Sequence, residues 1–210
     1  MTTGGSGASP GVSPAPSPPP VGLVNVANLL TVARLLLVPV FVLFLLLAGH
    51  PGSTLWRLAA LAAFGVASLT DLYDGRLARS RNLVTDFGKI ADPIADKALT
   101  GAALITLTGL GELPWWVTAA IMAREIGITA LRFAVIRRGV IAASPGGKLK
   151  TVLQIAAICL YLLPPSLSPP AILREVVMGA ALVVTLVTGA DYVVRAVRLS
   201  RPDDQGRPET

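Results

Sequence analysis

Four aspartates at two spacings carry the chemistry that can be read in this chain. Asp71 and Asp74 stand three residues apart, and Asp92 and Asp96 stand four apart. On helices each spacing puts both members of a pair on one face. Two carboxylates on one face of each of two helices make a cage of hard oxygen donors, suited to a divalent cation. Four close carboxylates without such an ion would repel one another and take up protons. Pairing of some of these acids with Arg76, Arg79 or Lys97 is the plainer reading, but it does not account for four acids standing together with Gly75 and Gly88. The two glycines remove side chains where a ligand's phosphates, or the other helix, must come close. Ala78 keeps that face open, and Arg79 offers a fork matched to phosphate. A two-metal site of this kind suits phosphoryl transfer, because it clamps both the attacking and the leaving oxygen.

The elements that must position these residues are membrane helices. The 210 residues are 53% apolar and only 14% charged, and the charges cluster between apolar runs that approach the roughly 20 residues needed to span a bilayer. The expected fold is all-α and polytopic. A formal charge of +6 raises nucleic acid as a partner, but no basic tract is interleaved with aromatics, and cytoplasmic loops of a membrane protein account for the same Lys and Arg. No nucleic-acid partner is expected. Cys159 is the single cysteine, so there is no internal disulfide, and its apolar setting marks a small core residue.

Residues 1–20 are Gly, Ser, Thr, Ala, Val and Pro after the initial Met, without charge. They read as a disordered tail, and the missing basic segment argues against a signal peptide. A membrane domain over 21–199 and a polar tail over 200–210 follow. Asn25, Asn28, Thr31 and Arg34 recur every three residues and predict an amphipathic helix at the membrane interface. A solvated face and a substrate-facing role suit that spacing equally. Six transmembrane helices are expected at about 29–48, with a kink at Pro39, then 56–79, 86–110, 115–138, 148–163 and 172–195. His50, the only histidine, falls in a Gly-Pro turn and reads as a loop residue. Of the 18 Lys and Arg, only Arg57 and Arg174 fall opposite the Asp cluster. The positive-inside rule therefore puts both termini and the cluster at the cytoplasmic face. Trp56, Trp115 and Trp116 fall at the far ends, where aromatic belts sit.

The pattern Asp71-x2-Asp74-Gly75-x2-Ala78-Arg79-x8-Gly88-x3-Asp92-x3-Asp96 resembles the signature of the CDP-alcohol phosphatidyltransferases. Around it, Asn28-Leu29-Leu30-Thr31-x2-Arg34, Asp92-Pro93-Ile94-Ala95-Asp96-Lys97, Arg124-Glu125-Ile126-x-Ile128-Thr129-x-Leu131-Arg132 and Gly147-Lys148-x-Lys150-Thr151-x2-Gln154 resemble the phosphatidylglycerophosphate synthase branch. Ala27 departs from the Pro that often precedes Asn28 there. The resemblance implies a six-helix homodimer in the bacterial inner membrane that displaces CMP from CDP-diacylglycerol with glycerol 3-phosphate. It implies that Asp71, Asp74 and Asp92 ligate two Mg²⁺ or Mn²⁺ ions. Asp96 would help at the metals and take the acceptor hydroxyl's proton, and Asp71, Asp74, Gly75, Ala78, Arg79 and Gly88 would hold the CDP-lipid.

An acceptor that carries its own phosphate needs a basic pocket, which serine or choline would not. Arg132, Lys148 and Lys150 are the candidates. Arg124, beside Glu125 in an apolar run, suits a pocket role and a structural ion pair equally, and Arg137 and Arg138 read as loop charges. Asp191 and Tyr192 suit packing or pairing. Two rivals remain: a sister transferase using inositol phosphate or phosphatidylglycerol, and a divalent-ion transporter, which predicts acids spread through the membrane depth.

Overall fold

The computed structural model describes residues 26–49, 53–80, 86–135 and 145–200, with side chains at 29–49, 53–70, 94–95, 97–134 and 146–198. The predicted tail at 1–20, Asn25, the His50 turn, Arg137 and Arg138, and the C-terminal tail beyond Ser200 lie outside the described residues. Among the described residues there are six helices and no strand: α1 Val26–Ala48, α2 Thr54–Ser80, α3 Asp86–Gly109, α4 Trp115–Val135, α5 Pro145–Leu162 and α6 Ala171–Ser200.

Among the described residues, Asn28, Thr31 and Arg34 belong to α1 itself, which runs unbroken from Val26 through Pro39. Thr31 and Arg34 are each 1% exposed, so these positions face the bundle and not water. The reason lies in their register. Thr31, Arg34, Phe41, Leu45 and Ala48 are all buried, and steps of three and four residues put them on one stripe of α1.

α2 answers with small residues: Ala60, Ala63, Phe64, Ala67 and Ser68 form its buried stripe, and three alanines let α1 approach closely. Phe41 and Phe64 meet at 5.7 Å between ring centroids. α1 packs on both α2 and α3, α6 packs on α5 and α4, and α2–α5, α3–α4 and α3–α5 contacts join the two groups. Leu104, Leu107, Ile121, Ile158 and Leu162 are fully buried where they meet.

α3 ends at the predicted Gly-rich turn. Gly111 has φ +74°, and the amide of Glu112 donates to Leu107 O at 3.0 Å while that of Gly111 donates to Thr108 O at 3.0 Å. This pair of bonds around a left-handed glycine satisfies the last carbonyls of the helix. The turn delivers Glu112 to Arg57, which donates to both carboxylate oxygens, through Nη1 at 3.0 Å and through Nη2. Arg57 Nη1 also donates to Tyr161 O at 2.9 Å. The start of α2, the end of α3 and the end of α5 therefore share one end of the bundle.

Among the described residues, α1 over Leu29–Ala48 and α6 over Ala171–Arg198 are long and apolar enough to cross a membrane, and Thr54–Thr70 of α2 is a shorter apolar stretch. Every helix turns large apolar side chains outward, with Leu36 at 65%, Leu55 at 69%, Ile105 at 58%, Ile126 at 59%, Val152 at 63% and Val187 at 62% exposure. Trp115 and Trp116 are also exposed, while Trp56 packs on Phe44 at 5.6 Å between centroids.

The side chains of Arg57 and Glu112 are only 5% and 8% exposed. Glu112→Leu strands a buried guanidinium and is expected to cost on the order of 3–5 kcal/mol, whereas Arg57→Leu/Glu112→Leu recovers much of that loss. Thermal unfolding of the two variants in detergent checks this, and equal melting temperatures would contradict it.

Candidate active site

The ion pair at one end of the bundle determines where the four aspartates fall. α2 leaves Arg57 and α3 returns to Glu112, so the two helices are antiparallel. At 1.5 Å per residue, Asp71 and Asp74 lie roughly 20–25 Å along α2 from that pair, and Asp92 and Asp96 lie about 25–30 Å along α3. Both pairs of positions thus fall at the opposite end of the bundle, at similar depth.

Register adds which face they occupy. On α2 the buried stripe Ala60, Ala63, Phe64, Ala67 and Ser68 continues in steps of three and four to positions 71, 74, 75 and 78. On α3 Ala95, Leu99 and Ala103 are buried, and positions 88, 92 and 96 stand three, four or seven residues before them. The Asp, Gly and Ala positions therefore prolong the inward faces of two adjacent antiparallel helices. The side chains of Asp71, Asp74, Ala78, Arg79, Asp92 and Asp96, and the surroundings of Gly75 and Gly88, lie outside the described residues. Among the described side chains, no three His, Cys, Asp or Glu gather into a group that could hold a metal.

A cationic cluster lies alongside. Lys97, next to Asp96, and Thr100, one turn further on, line a small cavity with Glu125 of α4 and Lys150, Thr151 and Gln154 of α5. Lys150 Nζ donates to Glu125 Oε1 at 2.5 Å, and Arg124 Nη1 donates to the same oxygen at 3.1 Å. These three side chains are each at most 14% exposed. One carboxylate thus stands among Arg124, Lys150 and Lys97, leaving a positive excess there. Lys148 and Lys150 also sit in the first turns of α5, which has no acid in its first turn. Cations at the positive pole of a helix are unfavourable, so a bound anion is stabilised twice over.

Arg124 does most of its work elsewhere. Its Nε donates to Thr185 O at 2.9 Å and its Nη2 to Thr188 Oγ1 at 3.0 Å, so the guanidinium clamps α4 to α6. A Cβ at Gly189 would stand 3.0 Å from Arg124 Cγ and Nε, and glycine there lets the arginine lie across α6. Arg132 is exposed at the end of α4, its guanidinium 5.8 Å from the centroid of Tyr192. Lys148 is exposed as well. Asp191 pairs with Arg195 one turn on, at 3.0 Å.

The profile of the CDP-alcohol phosphatidyltransferases matches residues 24–187. The chain belongs to that family. It is 54% identical over 176 residues to a probable phosphatidylglycerophosphate synthase of Mycobacterium tuberculosis, covering 84% of this chain and 83% of the relative. It is 37% identical to the CDP-diacylglycerol–glycerol-3-phosphate 3-phosphatidyltransferase of Bacillus subtilis, covering 81% and 94%. The protein of the same name from Escherichia coli is 40% identical over 150 residues, covering 68% and 79%.

The family generally uses divalent metals, for which carboxylate oxygens are suitable hard donors. Sequence reasoning did not name Lys97, Glu125 or Gln154 among the candidate site residues, and the structure places all three around one cavity. Each stands in a matching motif, but Lys97 otherwise reads as a counter-charge and Glu125 as a neighbour of Arg124. The separation of Glu125 from Lys150 hides their pairing, and only the packing of both α4 and α5 on α3 and α6 brings them together.

Arg124→Met removes the two donors of the α4–α6 clamp and the pairing with Glu125, and is expected to destabilise by on the order of 3 kcal/mol. Arg132→Met, which loses one exposed ring contact, is expected to cost less than about 1 kcal/mol. Melting temperatures in detergent distinguish the two, and equal shifts would remove the assignment of Arg124 to the α4–α6 clamp.

Proposed function

We propose that this protein transfers the phosphatidyl group of CDP-diacylglycerol to glycerol 3-phosphate, giving phosphatidylglycerophosphate and CMP. The observation that carries the reading is the meeting, at one end of the bundle, of the inward Asp positions of α2 and α3 with the cationic cluster of α3, α4 and α5. A diphosphate donor and a phosphate-bearing acceptor need those two environments side by side.

In this reading all six helices span the bacterial inner membrane, with both termini and the site at the cytoplasmic face. Outward apolar side chains on every helix and the distribution of Lys and Arg support it. Glu112, Glu125 and Asp191 are each held in an ion pair, which suits a transferase better than an ion path. A homodimer is part of the same reading, and its mass in detergent tests that part.

The acyl chains of the donor stay in the bilayer while its diphosphate lies along positions 71–79. Arg79 holds the diphosphate, and the glycines at 75 and 88 give it room. Two Mg²⁺ or Mn²⁺ ions held by Asp71, Asp74 and Asp92, with Asp96 assisting, would supply charge neutralisation for the attacking and leaving oxygens. Lys150, Lys148 and Arg132 hold the acceptor's phosphate, which carries close to two negative charges at neutral pH. Asp96 takes the proton of the acceptor's primary hydroxyl. The hydroxyl oxygen bonds to the phosphorus that carries the diacylglycerol, the bond from that phosphorus to the CMP oxygen breaks, and CMP leaves with the electron pair.

Purified protein given CDP-diacylglycerol and each acceptor in turn tests the reaction. Product is expected with glycerol 3-phosphate, is lost with chelator and returns with Mg²⁺ or Mn²⁺. Product from inositol phosphate or phosphatidylglycerol alone would overturn the acceptor. Asp96→Asn is expected to lower kcat by about 10²–10⁴-fold, and near-normal CMP release from it would refute the base. Lys150→Met is expected to raise KM for glycerol 3-phosphate about tenfold or more while leaving KM for CDP-diacylglycerol nearly unchanged.

A further inference from the structure

The cavity between α3, α4 and α5 holds a group that the reaction scheme has not used. Gln154 is 4% exposed and lines the cavity, and its Nε2 is buried without a hydrogen-bond partner among the described residues. A buried amide nitrogen left in that state costs free energy unless something with an acceptor oxygen arrives. The cavity has a volume of about 20 Å³, enough for one water-sized group. Its walls are polar on three sides, with Thr100 on α3, Glu125 on α4, and Lys150 and Thr151 on α5.

Position matters as much as polarity. Thr100 stands about 6 Å along α3 from Asp96, on the same stripe. Lys150 and Gln154 stand one turn apart on α5, so they share a face. Lys150 is fixed by Glu125 at 2.5 Å. The hole is therefore bounded on one side by the turn that carries the proposed base and on the other by the proposed phosphate ligand. Glycerol 3-phosphate has its attacking hydroxyl at one end, its phosphate at the other and one further hydroxyl on the carbon between them.

We propose that Gln154 is a specificity-determining residue that donates from Nε2 to the C2 hydroxyl oxygen of the acceptor, within the hydroxyl-sized cavity closed by Glu125 and Thr100. That hydroxyl in turn donates a hydrogen bond to the Glu125 carboxylate, which Lys150 and Arg124 already hold in place. The inference rests on the reading of the chain as a glycerol 3-phosphate transferase and adds how it tells this acceptor from a simpler hydroxyalkyl phosphate. A site that hydrogen-bonds a substrate hydroxyl rejects the analogue lacking it, because the buried polar groups are left unpaired.

The test compares glycerol 3-phosphate with 3-hydroxypropyl phosphate, which keeps the attacking hydroxyl and the phosphate but lacks the C2 hydroxyl. The wild-type protein is expected to prefer glycerol 3-phosphate by about tenfold or more in kcat/KM. In Gln154→Met that preference should fall towards one, while kcat/KM for 3-hydroxypropyl phosphate and KM for CDP-diacylglycerol change little. Equal loss with both acceptors would mean that Gln154 only supports the packing or holds a water, and the proposal would fall. A wild-type preference near one would also overturn it. If Gln154→Met does not accumulate in membranes, Gln154→Asn, which draws the amide back by one carbon, must lower the same ratio or the proposal fails. Turnover of neither acceptor by the wild type refutes the transferase reading itself, a result distinct from an unchanged ratio in an active enzyme.

Discussion

Charge inside an apolar bundle has to be neutralised by a partner, and Glu125 is the carboxylate on which that condition rests at the functional end. Its Oε1 receives both Lys150 and Arg124. Through Arg124 it is connected to Thr185 O and Thr188 on α6, and through Lys150 to the start of α5. Three helices thus take their relative positions from one carboxylate. Water is scarce at these side chains, so each ion pair is screened little and each unpaired member would be costly. Among the described side chains the same carboxylate leaves two of the cluster's three cations in excess, which would make a dianionic phosphate a stabilising occupant.

The opposite end obeys the same constraint with a different outcome. Arg57 and Glu112 are matched one to one, and the spare donor capacity of Arg57 Nη1 is taken by Tyr161 O. That end acts as a fixed base from which α2 and α3 run in opposite directions, and the lengths of the two helices then bring their aspartate positions to a common depth. The alanines of α2 matter here as well. They let α1 approach α2 closely, and α1 in turn packs on α3, so the two Asp-bearing helices are held mainly through a third. An ion pair that ties three helices together at one end, and a cluster richer in cations than in acids at the other, distinguish the two ends of this bundle.

How much of this was legible beforehand follows from the range of each interaction. Periodicity along one helix is a local property, so six helices, the Gly111 turn and the helical setting of positions 71–78 and 88–96 could be read from spacing. Thr31 and Arg34 show where that reading stops. Their spacing marks one stripe but does not say whether the stripe meets water or protein, and the packing of α1 decided for protein. Arg124 is the same problem in another form. Its adjacency to Glu125 was visible, but its reach to Thr188 depends on α6 lying alongside and on Gly189 carrying no side chain. Gln154 was visible as part of a motif without any hint that its amide nitrogen would be buried.

The position of Arg124 bears on how the acceptor is held. A guanidinium whose Nε, Nη1 and Nη2 all donate within the protein would have to break the α4–α6 clamp to bind phosphate, at the cost of several hydrogen bonds to a charged group. Lys150 has no such conflict. Its ammonium has three donors and spends one on Glu125, so two remain for a phosphate without any rearrangement. Lys148, exposed on the same first turns of α5, can reach the same anion from the solvent side. In the proposed reading the acceptor's phosphate is therefore held mainly by the point charges of Lys150 and Lys148 on α5, with Arg132 at the exposed end of α4, and not by Arg124. A point charge tolerates rotation of the phosphate about its ester bond. Orientation of the acceptor must then come from a contact further along the molecule, and the cavity beside Gln154 is the part of this site shaped to provide it.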